Sequence, residues 1–368
     1  MPFTSIRRPP IAIFLTGLTL AAAMIMLKID REVGYVARNL ISGAWGEGAE
    51  AFGRGRGPDG RESGPRSFAL DPDGRIYVSD TFNQRVKVYD QEGRLLRQFP
   101  VGEGLPRKPF IEDLAVTRAG HIYLADNAGG GLLKYDGDGH LLAVLAVRPD
   151  LRPGDLWRVE ALAPGPDDGV HVLGMVLTPE GYTGTIQAFS ATGALRSTPV
   201  EVRLDVTGRP LKQSPGSVEG LIGGFVRAGD GRLVLIAAGE TPFQRRLISV
   251  PAGGGSTDQW IYDSSAYIEE ASLLGVDASG HTYLGVNLST RGGLVARLSP
   301  AGEVEESIPA GVSDPVRPGP TLLMNARVDA AGRIYLARST AERFEIVRLE
   351  PRWRLGLQPR WRHVARPR

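Results

Sequence analysis

One pattern recurs along this chain and restricts its fold more than any other feature. Ser67-Phe-Ala-Leu-Asp-Pro-Asp-Gly74-Arg-Ile-Tyr-Val-Ser-Asp80 runs on to Arg85-Val-Lys-Val-Tyr-Asp90-Gln-Glu-Gly93. It reads as strand, tight turn, strand, loop, strand, turn, because apolar runs of strand length are separated by Asp and Gly signals. The unit returns as Leu114-Ala-Val-Thr-Arg-Ala-Gly120-His-Ile-Tyr-Leu-Ala-Asp126, as Leu273-Leu-Gly-Val-Asp-Ala-Ser-Gly280-His-Thr-Tyr-Leu-Gly and as Ala326-Arg-Val-Asp-Ala-Ala-Gly332-Arg-Ile-Tyr-Leu-Ala. Degenerate copies surround Gly169 and Gly231. The turn glycines Gly74, Gly120, Gly169, Gly231, Gly280 and Gly332 are spaced 46, 49, 62, 49 and 52 residues apart. Such a period suits a four-stranded blade. One blade cannot bury both faces alone, whereas six packed around an axis can. Glycine at the turn has a steric cause: positive φ costs a residue with a Cβ about 1 kcal/mol or more. Gly 48 and Pro 27, about a fifth of the 368 residues, are scattered between the apolar runs, as a turn-rich all-β fold requires.

Through Pro65, Leu70-Asp71 and Gly74-Arg-Ile-Tyr-Val-Ser-Asp80-Thr-Phe-Asn83-Gln-Arg85-Val, the chain resembles the NHL-repeat family of six-bladed β-propellers. The resemblance spans residues 45–351, strong in the first two units, fair in the last two and poor between. It implies six four-stranded blades. Two segments compete to close the ring. Leu40-Ile-Ser-Gly-Ala-Trp45-Gly-Glu-Gly48 looks like the outer strand of a unit, compare Leu95-Leu-Arg-Gln-Phe99-Pro-Val-Gly102, yet precedes unit one. Arg352-Trp-Arg-Leu-Gly-Leu357 is the rival, and the N-terminal segment is favoured.

Ahead of the repeats, residues 1–10 carry Arg7 and Arg8, and residues 11–27 are apolar apart from Thr16, Gly17 and Thr19. Seventeen residues of helix reach about 26 Å, the short end of a bilayer span. A cleaved signal peptide is the alternative, because Ala21-Ala22-Ala23 offers small residues of the right kind. The apolar run continues past that point to Leu27, which favours an uncleaved anchor. Positive charge before the span is unopposed, while Lys28, Asp30, Arg31 and Glu32 after it cancel. That bias predicts a cytoplasmic N-terminus and a periplasmic propeller, single-pass in a bacterial inner membrane. Residues 28–44 are expected to be a juxtamembrane stalk, with Ile29, Val33, Val36 and Leu40 at helical spacing; a short spacer is the other reading.

Cys 0 excludes thiol catalysis, cysteine-ligated zinc, iron–sulfur clusters and disulfides. No nucleophile elbow, phosphate loop, H-E-x-x-H or dinucleotide fingerprint occurs. His121 and His281 each follow a turn glycine and are expected to be exposed at the start of a strand. Asp80 and Asp126 are expected to accept backbone N–H bonds from the loops that follow them. Aligning the units on their turns brings Glu112 and Glu160 to equivalent positions, with Asp113, Glu219, Glu270 and Asn325 close by. The first strand of a blade lines the central channel. Glu112, Glu160, Glu270 and Asn325 are therefore a candidate oxygen-ligand set for Ca2+, the only cofactor the sequence suggests. The family resemblance implies the same, since lactonases and lyases on such propellers use channel carboxylates. Structural pairing with arginine is the competing use, and the loose register favours it.

Residues 256–270 hold Trp260, Tyr262 and Tyr267 with Asp258, Asp263, Glu269 and Glu270, an aromatic and acidic composition suited to a protein contact or to a fourth strand with its loop. The tail, 352–368, has six Arg and no acid; Trp353, Arg354, Trp361 and Arg362 are candidates for contact with anionic lipid or an acidic partner. Gly53-Arg-Gly-Arg-Gly-Pro resembles an RNA-binding tract, but the expected compartment lacks nucleic acid. The function expected from these features is a non-catalytic interaction subunit, tethered by residues 11–27 and docking on subunits of an integral-membrane complex. A cation-dependent hydrolase or lyase using the channel carboxylates is the alternative.

Overall fold

The computed structural model describes residues 31–57, 60, 62–147, 156–165, 167–178, 181–196, 200–205, 218–219, 221–251, 258–289, 292–309 and 326–355. The chain divides into two units: Ala37–Leu349, and the terminal segments Met1–Val36 with Glu350–Arg368. The first strand is β1 (Arg31–Ala44), followed by a small hairpin of β2 (Gly55–Arg56) and β3 (Glu62–Ser63). The blades then follow in chain order. Blade one is β4 (Phe68–Leu70), β5 (Ile76–Asp80), β6 (Arg85–Tyr89) and β7 (Leu95–Pro100). Blade two is β8 (Ile111–Val116), β9 (Ile122–Asp126), β10 (Gly131–Tyr135) and β11 (Leu141–Ala146). Blade three is β12 (Leu156–Pro164), β13 (Val170–Thr178), β14 (Gly181–Phe189) and β15 (Val200–Asp205), with a short fifth strand β16 (Val218–Glu219) added parallel to β15. Blade four is β17 (Leu221–Arg227), β18 (Leu233–Ala238), β19 (Gln244–Val250) and β20 (Asp258–Asp263). Blade five is β21 (Ile268–Val276), β22 (Thr282–Leu288), β23 (Gly292–Leu298) and β24 (Val304–Pro309). Blade six is β25 (Ala326–Val328), β26 (Ile334–Ser339) and β27 (Arg343–Leu355), completed by β1.

Burial explains the strand sequences. Every residue of β5 and β9 is buried, so Ile76-Tyr-Val-Ser-Asp80 and Ile122-Tyr-Leu-Ala-Asp126 read as unbroken runs. The fourth strands β7 and β11 alternate instead, leaving Leu96, Leu142 and Val144 exposed. Between blades the faces interlock: Val86 and Phe99 of blade one meet Leu114, Leu124 and Tyr135 of blade two. Val234 and Leu247 of blade four likewise meet Leu273 and Leu284 of blade five.

The N-terminal closure is the one observed. β1 pairs with β27; Asn39 Nδ2 donates to Glu345 Oε1 at 3.0 Å and Trp45 N to Glu342 O at 3.3 Å, so the two strands run antiparallel. Arg352–Leu355, the rival segment, is the continuation of β27 itself. The helical spacing read into Ile29 to Leu40 is overridden, since residues from Arg31 onward are strand. An open edge on the last blade supplies hydrogen bonds to an extended segment, and period-two burial at Ile41 and Gly43 fits it there. Ile41 and Phe52 join Phe68, Ile76, Phe344 and Ile346 in the cluster between blades six and one.

Five of the six turn glycines have the positive φ the repeat requires: +78° at Gly74, +85° at Gly120, +89° at Gly231, +85° at Gly280 and +76° at Gly332. Gly169 departs from the pattern. In that unit Asp167 and Asp168 carry φ of 48° and 57°, and short polar side chains are the non-glycine residues that best tolerate that region. No helix among the described residues is long and apolar enough to cross a membrane, and residues 11–27 lie outside the described set.

Candidate site at the channel mouth

First strands of successive blades pack side by side: β4 on β8, β8 on β12, β12 on β17, β17 on β21 and β21 on β25. Three of them are bulged against their own second strands at the residues of interest. The β8 register shifts between Ile111 and Leu114, the β12 register between Val159 and Ala161, and the β21 register between Ile268 and Glu270. A bulge gives one strand an extra residue and re-aims its side chain. Glu112, Asp113 and Glu160 occupy such positions, with Glu270 at the edge of the third.

Arginines meet these acids. Arg66 NH2 lies 2.5 Å from Glu112 Oε1, and its guanidinium sits 5.5 Å above the ring of Phe110, itself edge-on to Phe82. Arg158 bonds Glu160. Burial pushes the Glu160 carboxyl above its ordinary range, against the pull of Arg158, and neighbouring Glu112 pushes the same way. Deeper, Asp113 binds three neighbours at once: Oδ1 accepts from Ser67 Oγ at 2.5 Å and from Arg327 at 3.2 Å, and Oδ2 from Leu162 N at 2.7 Å. One buried carboxylate thus links blades six, one, two and three.

Glu270 is different. Its cross-strand neighbour Asn287 donates to Oε2 at 3.4 Å, no arginine or lysine among the described residues is paired with it, and burial raises its carboxyl to about 7. Of the candidate calcium ligands, Glu112 and Glu160 are brought near each other and each is held by an arginine. Glu270 stands on another blade, and Asn325 lies outside the described residues. Among the described residues no group of three or more His, Asp or Glu is placed to share a metal ion.

His281 is not an exposed residue. Its Nδ1 lies 3.1 Å from Asp277 Oδ2 and its Nε2 3.3 Å from Glu305, with Arg297 beside the ring. His121 Nδ1 is buried without a partner. Asp126 does accept from the loop after it, at Ala128 N, as well as from Phe110 N. Asp80 instead takes the N–H of Gly53, upstream of its blade, at 2.7 Å. The reason is closure: residues 45–53 lie against blade one, so the nearest free N–H comes from there.

The aromatic and acidic segment 256–270 proves to be β20, a loop and the start of β21. Tyr262 is buried and Trp260 half-buried, because alternation along β20 turns them inward and Ile261 outward. Tyr267 is 49% exposed and stands edge-on to Phe243, 43% exposed, with ring centroids 6.5 Å apart. Phe243 was not legible as its partner, since it belongs to a different hairpin. Trp353 and Arg354 fall in β27 by backbone alone, while Trp361 and Arg362 lie outside the described residues.

The NHL repeat profile matches residues 63–89, the whole of blade one's first three strands. Around that one NHL repeat the chain forms a ring of six blades, a β-propeller. No curated protein matches it in sequence. Among solved structures, a member of the DUF4221 family from Bacteroides vulgatus aligns with a TM-score of 0.52 at 11% identity, covering 89% of this chain and 100% of that one. A streptogramin B lyase aligns with a TM-score of 0.50 at 13% identity, covering 86% and 98%. At such identities the likeness is one of fold, and folds of this kind host unrelated activities.

Proposed function

We propose that this NHL-repeat propeller is a non-catalytic interaction module, tethered through residues 11–27 to a bacterial inner membrane and docking from the periplasm on subunits of a larger membrane complex. The observation that supports it most is the use made of the channel acids. Glu112 binds Arg66, just ahead of β4 of blade one, and Asp113 binds Arg327 of blade six, so their charges serve blade-to-blade cohesion, while Glu160 is held by Arg158 of its own strand. General acid–base work on a substrate needs carboxyls with room for a reacting atom, and cation chemistry needs several oxygens facing one point. The tether adds to this reading: a membrane anchor raises effective concentration, so modest propeller contacts suffice for stable association.

One observation favours a second reading, the cation-dependent hydrolase or lyase. Glu160 is a half-buried carboxyl raised by its surroundings, with a second carboxylate nearby. The experiment that separates the two is substitution of Glu112 and Glu160 by Gln, with thermal unfolding followed with and without Ca2+. The module reading expects no shift on adding Ca2+ to the natural chain. A rise in midpoint that disappears in the double variant would establish the cation site and remove the argument for a non-catalytic channel.

A further inference from the structure

The outer edges of the blades are not alike. An outermost strand leaves N–H and C=O groups free to pair with another chain, and charged side chains, proline or a covering strand are the usual guards against it. β7 carries Arg97 and ends at Pro100, β20 carries Asp258 and Asp263, β24 carries Glu305 and Glu306, and β1 carries Arg31, Glu32 and Arg38. β15 is covered by β16. The outer strand of blade two has none of these guards: β11 is Leu141-Leu-Ala-Val-Leu-Ala146, with no neighbour on its far side among the described strands. Leu145 is buried, and Ala143 packs beside it in the cluster shared with blade three. The other face is open. Leu142 is 50% and Val144 59% exposed, and Ala146 is exposed with them. The register with β10 shifts only at the start of the strand, between the Tyr135–Leu141 and Lys134–Ala143 pairs, so residues 143–146 form a regular edge.

We propose that β11 is the contact through which two copies of this chain associate, paired antiparallel about a two-fold axis at Val144 so that two four-stranded blades become one eight-stranded sheet. On such an axis a strand meets itself, so like charges approach each other across the pair, and β11 has none to repel. Opposed residues of an antiparallel pair point to the same face, which requires the exposed Leu142, Val144 and Ala146 to meet one another. Centring on Val144 sets Leu142 against Ala146 and Ala143 against Leu145. Each large side chain then lies opposite a small one, and the free backbone groups of both edges are paired.

The chain has no cysteine, so Val144→Cys places a single thiol on the axis, about 5 Å from its copy and within disulfide range. In native membranes treated with a mild oxidant this variant is expected to form a covalent dimer, while Phe243→Cys, exposed on blade four, stays monomeric. Light scattering on the full-length, detergent-solubilised natural chain is expected to show a dimer that dissociates on dilution. Val144→Lys, at an exposed position, should weaken that association at least about tenfold in a chain that still unfolds cooperatively. Absence of the Val144→Cys dimer overturns the proposal, as does an association that Val144→Lys leaves unchanged. A disulfide from Val144→Cys to a protein of another mass overturns it too, because the edge then takes a strand from a different partner. Any of these failures leaves the interaction-module reading standing, since that reading does not rest on β11.

Discussion

At the scale of single residues, the polar groups in the ring interior divide into those that are satisfied and those that are not. Asp113 is 6% exposed and accepts from Ser67, Leu162 N and Arg327, so it stabilises through three neighbours on three other blades. Asp113→Ala strands a buried N–H and a guanidinium, and urea unfolding should show a loss of about 2–4 kcal/mol. A loss below about 0.5 kcal/mol, the size of an ordinary surface change, would remove it as a stitch. Glu270 acts in the opposite sense. Its folded carboxyl titrates near 7, above the unfolded value, because burial disfavours the charge. Between those two values the folded state holds more protons than the unfolded one, so stability falls as pH rises through the window. Glu270→Gln removes that slope. The variant should match the natural chain near pH 4 and exceed it above neutrality, by up to about 3 kcal/mol before solvent screening is allowed for. Taking the difference between the two chains cancels His140, which Asp136 raises and whose contribution also fades as pH climbs.

At the scale of elements, the N-terminal strap decides whether the ring closes. Beyond β1, residues 45–53 are clamped to both neighbours. Trp45 Nε1 donates to Thr340 O, Arg85 NH2 to Gly48 O and Ala51 O, and Lys87 Nζ to Ala51 O at 2.6 Å. The Lys87 ammonium also sits 4.2 Å above the ring of Phe52, and burial lowers its pKa to about 8. Every one of these contacts begins at or after residue 31. A chain lacking residues 1–23 should therefore unfold at the natural midpoint, and one lacking residues 1–53 should fail to fold or aggregate, because it exposes the β27 edge, Phe344 and a buried lysine together. Thermal unfolding of the two truncations checks this, and a cooperative transition in the shorter chain would show the strap to be dispensable. The same element marks the limit of the sequence. Blades were legible because turn chemistry is local: Asp71, Asp277 and Asp329 each accept from the N–H two and four residues on, and each also takes a tyrosine hydroxyl six residues on. Glu112 and Glu160 could be found by aligning those turns. The arginine partners of Glu112 and Asp113 could not, since Arg66 lies 46 residues from Glu112 and Arg327 lies 214 from Asp113, and nothing local couples such positions; Arg158, by contrast, stands two residues from Glu160. The strand at Arg31–Ala44 was obscured for the same reason: its partner is near the other end of the chain.

At the scale of the whole molecule, the proposed tether raises the question of which side of the membrane the ring would face. Arg7 and Arg8 ahead of the apolar run, against a balanced Lys28, Asp30, Arg31 and Glu32 after it, argue for a cytoplasmic N-terminus. The chain supplies its own clean background for the measurement, because it contains no cysteine. A single cysteine at Ser5 reports the N-terminus, and one at Thr241, exposed on the loop between β18 and β19, reports the propeller. In cells with a permeabilised outer membrane and an intact inner one, a membrane-impermeant maleimide should label Thr241→Cys and leave Ser5→Cys untouched until the inner membrane is lysed. The reverse pattern would put the propeller in the cytoplasm and with it reinstate nucleic acid as a partner for the arginine-rich loop at Gly53. Labelling of both before lysis, with the chain released in the soluble periplasmic fraction, would show that the apolar run is removed rather than kept. That last result would also take away the effective-concentration argument for the module, because a chain without a tether must bind its partner by surface contacts alone.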